Sequence, residues 1–121
     1  MTAKLDHMIV TARDKHASAT FLADILGVRP PVPAGHFMMV EVAHGLTLDF
    51  DDFEGDILPQ HYAFAVSEPE FDDILGRIRE RRLRYWADPQ RTRPDEVAQR
   101  GPGRAVYFED PSGHWIEVLT R

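Results

Sequence analysis

Four side chains able to hold a metal ion recur in step along the chain. His7, in Leu5-Asp6-His7-Met8-Ile9-Val10, and His61, in His61-Tyr62-Ala63-Phe64-Ala65-Val66, stand 54 residues apart, each in a short run of β-formers. Asp49 and Glu117 stand 68 residues apart, in the later runs Leu46 to Phe50 and Trp115 to Leu119. Imidazole and carboxylate donors without sulfur suit a divalent first-row metal that keeps open coordination positions. Two histidines and one acid give the facial arrangement used by non-haem iron, and a fourth carboxylate would leave two adjacent positions free. Open positions mean catalysis by substrate chelation. Glu117 lies between Ile116 and Val118, where an unpaired buried carboxylate would cost several kcal/mol and a neighbouring cation would remove that cost. The competing reading of a strand histidine is a hydrogen-bonded core residue. Recurrence in matched places favours ligands for His7, His61 and Glu117, and does so less for Asp49.

The elements that must position these groups read as strand, helix, three strands, stated twice. Leu5 to Val10 is the first strand. Asp14 caps a helix whose apolar positions are Ala17, Phe21, Leu22 and Ile25, and Gly27 ends it. Pro30, Pro31 and Pro33 limit Arg29 to Ala34 to an edge strand. Phe37 to Val42 and Leu46 to Phe50 follow, joined by a tight hairpin at Ala43-His44-Gly45. Asp51 to Pro59 is an acidic connector. His61 to Val66 then opens the second copy, Ser67 and Glu70 form a capping box, and Phe71, Ile74, Leu75 and Ile78 make the stripe of the second helix. Leu83 to Ala87, Arg104 to Glu109 and Trp115 to Leu119 are the three remaining strands, the last two separated by the turn Asp110-Pro111-Ser112-Gly113. Alternation places the histidines opposite Met8, Val10, Tyr62 and Phe64, so if the bulky side packs on the helices the imidazoles line the open face. The second copy is longer by 14 residues, and the polar stretch Pro89 to Pro102 can hold that insertion. It contains Arg91, Arg93 and Arg100, and it reads as a lid that brings arginine to an anionic substrate or as a mobile loop.

Composition closes off other classes. With 121 residues, 43% hydrophobic and 28% charged, the chain is a soluble globular protein of one domain, with one module over about 1–53 and another over about 58–121. The absence of cysteine excludes disulfides, sulfur-ligated metals and a thiol nucleophile. A net charge of −6 argues against nucleic acid as a partner. No apolar run is long enough to span a membrane, and the opening residues lack the order of a signal peptide, so a cytoplasmic protein is expected. Tyr62 and Tyr107 are proton-donor candidates or packing residues, His114 belongs to the turn or supports a ligand, and His16, His36 and His44 receive no role.

These motifs, above all Val106-Tyr107-Phe108-Glu109-Asp110-Pro111-Ser112-Gly113-His114-Trp115-Ile116-Glu117, resemble the vicinal oxygen chelate superfamily, the glyoxalase, bleomycin-resistance and ring-cleaving dioxygenase group. The resemblance runs over essentially the whole chain and implies an α+β fold of two βαβββ modules forming a cupped mixed sheet around a metal, usually in a homodimer. It puts His7, His61 and Glu117 on the usual ligand positions and Asp49 where glyoxalase-like members commonly carry a glutamate. It implies a divalent ion, Fe, Mn, Ni, Co or Zn, and a small oxygen-rich substrate. With Asp49 ligated the set is like that of the lyases and isomerases, in which a metal-bound carboxylate such as Asp49 or Glu117 is catalytic. Without it the set is like that of the dioxygenases and epoxide-opening thiol transferases. A metal-free drug-binding protein is the alternative the resemblance leaves open.

Overall fold

A computed structural model describes residues 2–121. The chain divides into two compact units, the first ending at Leu58 and the second starting at Pro59. The first runs β1 (His7–Ala12), α1 (Lys15–Leu26), β2 (Val32–Ala34), β3 (Phe37–Glu41) and β4 (Thr47–Asp52). The second runs β5 (His61–Ala65), α2 (Glu68–Glu80), β6 (Ala98–Arg100), β7 (Gly103–Glu109) and β8 (Trp115–Leu119). Each unit forms one four-stranded mixed sheet, in the order β1-β4-β3-β2 and, equivalently, β5-β8-β7-β6. The doubled α+β plan expected from the sequence is therefore the observed one. No helix among the described residues is long and apolar enough to cross a membrane.

Local chemistry explains the helix limits. Asp14 is extended and its side chain accepts from the His16 and Ala17 amides, which satisfies two of the amides that a helix start leaves without partners. Gly27 ends α1 at φ 74°, a left-handed conformation that costs glycine nothing, and returns its amide to the Ala23 carbonyl. Before α2, Ser67 accepts from the Glu70 amide while the Glu70 carboxylate accepts from the Ser67 amide. That is the predicted reciprocal cap. Phe71, Ile74, Leu75 and Ile78 are the buried residues of α2, the four that the periodicity selects.

Two expectations need correction, both in the second unit. Leu83 to Ala87 is not a strand: Trp86 alone makes isolated bridges, to Tyr107 and to Pro94. The chain enters this stretch through Arg82 at φ 57° and leaves it at the Asp88 turn, which leaves too short an extended run for a ladder. The strand in its place is β6, three residues whose polar sequence carries no strand signal. Pro89 to Pro102 is irregular only as far as residue 97, where β6 takes over. Asp88 accepts from the Thr92 amide and hydroxyl and from the Arg93 amide, the Ala87 amide donates to Arg93 at 3.0 Å, and the Asp95 amide donates to Tyr85 at 2.9 Å. The segment is pinned and its end is β6, so the extra length of the second copy falls before residue 98.

Candidate metal centre

In the first unit β1 and β4 are parallel, with His7 opposite Thr47 and Ile9 opposite Asp49. In the second, β5 and β8 are parallel, with His61 opposite Trp115 and Ala63 opposite Glu117. The two registers are the same. Each acid lies across from the residue two beyond its histidine, on the same face of the sheet, a diagonal of about 8 Å between Cα atoms from the usual strand spacing and rise. In the first unit the other face is the core: Val10, Ala12, Met38, Val40, Leu48 and Phe50 are buried there, against the helix that contributes Phe21, Leu22 and Ile25. The histidines are left on the open face, as alternation requires.

Chain length decides what happens across the diagonal. Glutamate has one methylene more than aspartate, and Glu117 Oε1 reaches His61 Nε2 at 3.1 Å. The other ring nitrogen, Nδ1, lies 3.1 Å from the Trp115 carbonyl. A carbonyl only accepts, so Nδ1 donates to it, and Nε2 faces the carboxylate either as a second N–H or as a lone pair open to a metal ion. A proton on Nε2, or a metal ion in its place, satisfies the pair. The Glu117 side chain is 9% exposed against 48% for His61, so the acid depends on protein partners or a bound cation more than on water for compensation. A divalent ion fits this donor pair, and the Nδ1 contact is the kind of outer support that fixes a ligating imidazole.

The first unit repeats the theme more loosely. His7 Nδ1 pairs with Asp6 Oδ2 at 2.7 Å, which leaves Nε2 outward. The hydrogen bond and charge of Asp6, with a smaller contribution from Asp49, raise the His7 pKa above its ordinary value. Asp49 Oδ1 is buried and has no hydrogen-bond partner among the described residues. An orphaned carboxylate oxygen on the histidine's face is again a cation-seeking feature. Among the described residues no three His, Cys, Asp or Glu side chains draw together into one cluster. Each unit presents a pair.

The three arginines singled out from the sequence part company. Arg91 pairs with Glu109 and lies 4.3 Å over the Trp115 ring, and Arg93 pairs with Glu96 at 3.3 Å. Arg100 alone reaches the histidine–acid pair of its unit: Nη1 donates to Glu117 Oε2 at 3.4 Å, Nη2 donates to the Tyr107 hydroxyl, and the guanidinium sits 5.4 Å from the centre of the Tyr107 ring. Burial pushes the Tyr107 phenol up, and the Glu117 charge adds to that. Tyr107 is opposite Glu117 in the β7–β8 ladder. His114 is fully buried, its Nδ1 accepting from the Gln60 amide at 3.0 Å and its ring edge-on to Tyr62, so it supports the turn. His44 occupies the β3–β4 turn at φ 62°.

Sequence reading missed Asp6, the Trp115 carbonyl and Trp86. Asp6 precedes its histidine directly, and strand alternation would send such neighbours to opposite faces. Because β1 begins at His7, Asp6 lies outside the strand and is free to turn back to the ring.

With this geometry in hand, comparison with known proteins is specific. The sequence profile of the Glyoxalase/Bleomycin resistance protein/Dioxygenase superfamily matches residues 4–118. The chain belongs to this superfamily. Among solved structures it is similar to Oxidase ChaP-H1, with 53% identity, TM-score 0.96, and 99% of this chain and 97% of that one covered. It is also similar to Oxidase ChaP-H2, with 56% identity, TM-score 0.96, and coverage of 100% and 95%. Glutathione transferase FosA of Serratia marcescens is 25% identical, over 98% of this chain and 81% of the relative.

Proposed function

We propose that this superfamily member is a divalent-metal-dependent enzyme that binds a small oxygen-rich substrate through two oxygens and acts on it oxidatively. The observation that carries the reading is His61 Nε2 lying 3.1 Å from Glu117 Oε1, a histidine–carboxylate pair with room for a divalent ion in place of the proton between them. Support for oxidation, as against lyase, isomerase or thiol-transfer chemistry, comes from the oxidase names of the relatives at 53% and 56% identity. His61 and Glu117 would hold the ion with His7, and Asp49 would be a fourth donor or the catalytic base.

A bound divalent ion supplies Lewis-acid polarisation of the substrate oxygens and, in a redox-active metal, a route for electrons. The protein's own groups do the rest. The Asp49 carboxylate would take a proton from a substrate hydroxyl. The Arg100 guanidinium offers hydrogen bonds to the anion so formed, and the Tyr107 hydroxyl, whose pKa burial raises, stays protonated and is hydrogen-bonded to Glu117. Arg91 and Arg93 would join a larger anionic substrate only by giving up Glu109 and Glu96.

Metal titration of the purified protein with Fe(II), Mn(II), Co(II), Ni(II) and Zn(II) tests the proposal, with nitrocatechol as a chromophoric two-oxygen probe. Tight binding of at least one ion, lost in His61→Ala and Glu117→Ala, and a metal-dependent shift of the nitrocatechol band are expected. Failure of every ion to bind would leave the drug-binding alternative in possession.

A further inference from the structure

Glu117 has two oxygens, and the second unit assigns them different partners. Oε1 faces His61 Nε2 at 3.1 Å and Oε2 receives Arg100 Nη1 at 3.4 Å. Arg100 is itself fixed twice more, by its bond to the Tyr107 hydroxyl and by its place 5.4 Å from the centre of that ring. Its anchor is rigid, since β6 pairs with β7 through Arg100 opposite Gly103 and the preceding segment is tied down at Asp88. The matched acid of the first unit has no such cation among the described residues. Met39 is opposite Asp49 where Tyr107 is opposite Glu117, and Asp49 Oδ1 has no hydrogen-bond partner among the described residues.

From this contrast we infer that Arg100 is a positioning residue that makes Glu117 a one-oxygen metal ligand, by occupying Oε2 and leaving Oε1 alone for the ion beside His61. A carboxylate free at both oxygens can close on an ion through both and consume a coordination position. Arg100 keeps that position for substrate. It also sets a fixed positive charge close to the ion, so affinity is moderated in exchange for an open site.

The inference rests on the metal reading above, and Co(II) separates the two. Visible absorption of Co(II) weakens as coordination number rises, so wild type is expected to show stronger bands per bound ion than Arg100→Ala. Loss of a unit charge several ångströms from a divalent ion should tighten Co(II) binding about tenfold in Arg100→Ala, measured by competition with an indicator dye. Arg100→Lys, which keeps the charge beside Oε2, should restore both band intensity and affinity to within about twofold of wild type. Arg29→Ala removes the same net charge from an ion pair with Glu41 in the first unit and should change neither. Thermal melts of all variants check folding, and the 50% exposed Arg100 side chain tolerates truncation. Equal spectra and equal or weaker Co(II) binding in Arg100→Ala would overturn the assignment while leaving the metal reading standing. So would an Arg29→Ala effect as large as that of Arg100→Ala. Absence of Co(II) binding in wild type would remove both.

Discussion

Asp49 and Glu117 occupy the same place in two copies of one frame, and their surroundings differ. Both lie across a parallel pair from the residue two beyond a histidine. Glu117 has an imidazole on one oxygen and a guanidinium on the other, whereas Asp49 keeps one oxygen buried and unmatched. Duplication preserved the strand register, which is set by backbone pairing and by which face must be buried, and left side-chain length and neighbours to diverge. One copy has partners on both acid oxygens, and the other keeps a buried acid oxygen without a hydrogen-bond partner among the described residues.

The sharpest way to break that comparison is to delete each acid in turn. Glu117→Ala is expected to weaken Co(II) or Mn(II) binding by more than about 100-fold, the upper range for residues that merely support a ligand. Asp49→Ala should cost less than about tenfold in the same titration. Equal losses would make the two acids equivalent ligands and remove the division of labour.

A second test compares how the two rings are held. His61 is oriented by the Trp115 main-chain carbonyl, which no substitution removes, and His7 by the Asp6 side chain, which can be changed. Asp6→Ala frees the His7 ring and removes the charge that makes it more basic. Loss of such a supporting carboxylate should weaken metal binding about tenfold. No change in the titration would show that His7 is not a ligand.

How far the residues announce this is itself instructive. The β1 and β5 register, the two helix caps and the β7–β8 turn are legible because each rests on local rules: period-two alternation, a capping side chain, proline and glycine in a turn. β6 is not legible. Ala98-Gln99-Arg100 has no strand pattern, and what makes it a strand is pairing with β7, a contact that sequence spacing does not display. Arg100 stands out in the sequence only together with Arg91 and Arg93, which turn to Glu109 and Glu96. Nothing in the composition of the segment distinguishes the three, since the distinction depends on which strand edge each one occupies.

The helix starts give a smaller effect and a control free of metal. Asp14→Ala and Ser67→Ala each remove a side chain that accepts from helix amides, and each should lower stability by about 1 kcal/mol in urea titration. Ser67→Ala keeps the residue-67 amide bond to the Glu70 carboxylate but removes the hydroxyl, the lesser of the two Ser67 contacts that lower the Glu70 pKa. A depressed acid contributes stability above its unfolded pKa and loses it as pH falls through the lower folded value. The Ser67→Ala penalty should therefore shrink on acidification below about pH 4.5. A penalty that stays constant would assign the cap to the hydroxyl alone.

The smallest expected effect distinguishes the two turns that precede β4 and β8. The first turns through Ala43-His44-Gly45 with no side-chain acceptor, while in the second Asp110 accepts from the Ser112 amide at 2.9 Å and the His114 amide at 2.8 Å. Burial raises the Asp110 pKa above its ordinary 3.8 even though those amides pull it down. An acid with a raised folded pKa binds its proton more tightly in the native state, so its contribution to stability falls as pH climbs from the unfolded value through the folded one. An asparagine side chain at this position would keep the accepting oxygen without a charge to bury. Asp110→Asn should accordingly melt a few degrees above wild type at about pH 7, with the gap closing as pH falls through the raised folded value and the wild-type carboxyl takes up its proton. A lower melting temperature for Asp110→Asn at neutral pH would mean that the bonds to the two amides need the full charge, and that desolvation is the lesser effect at this turn.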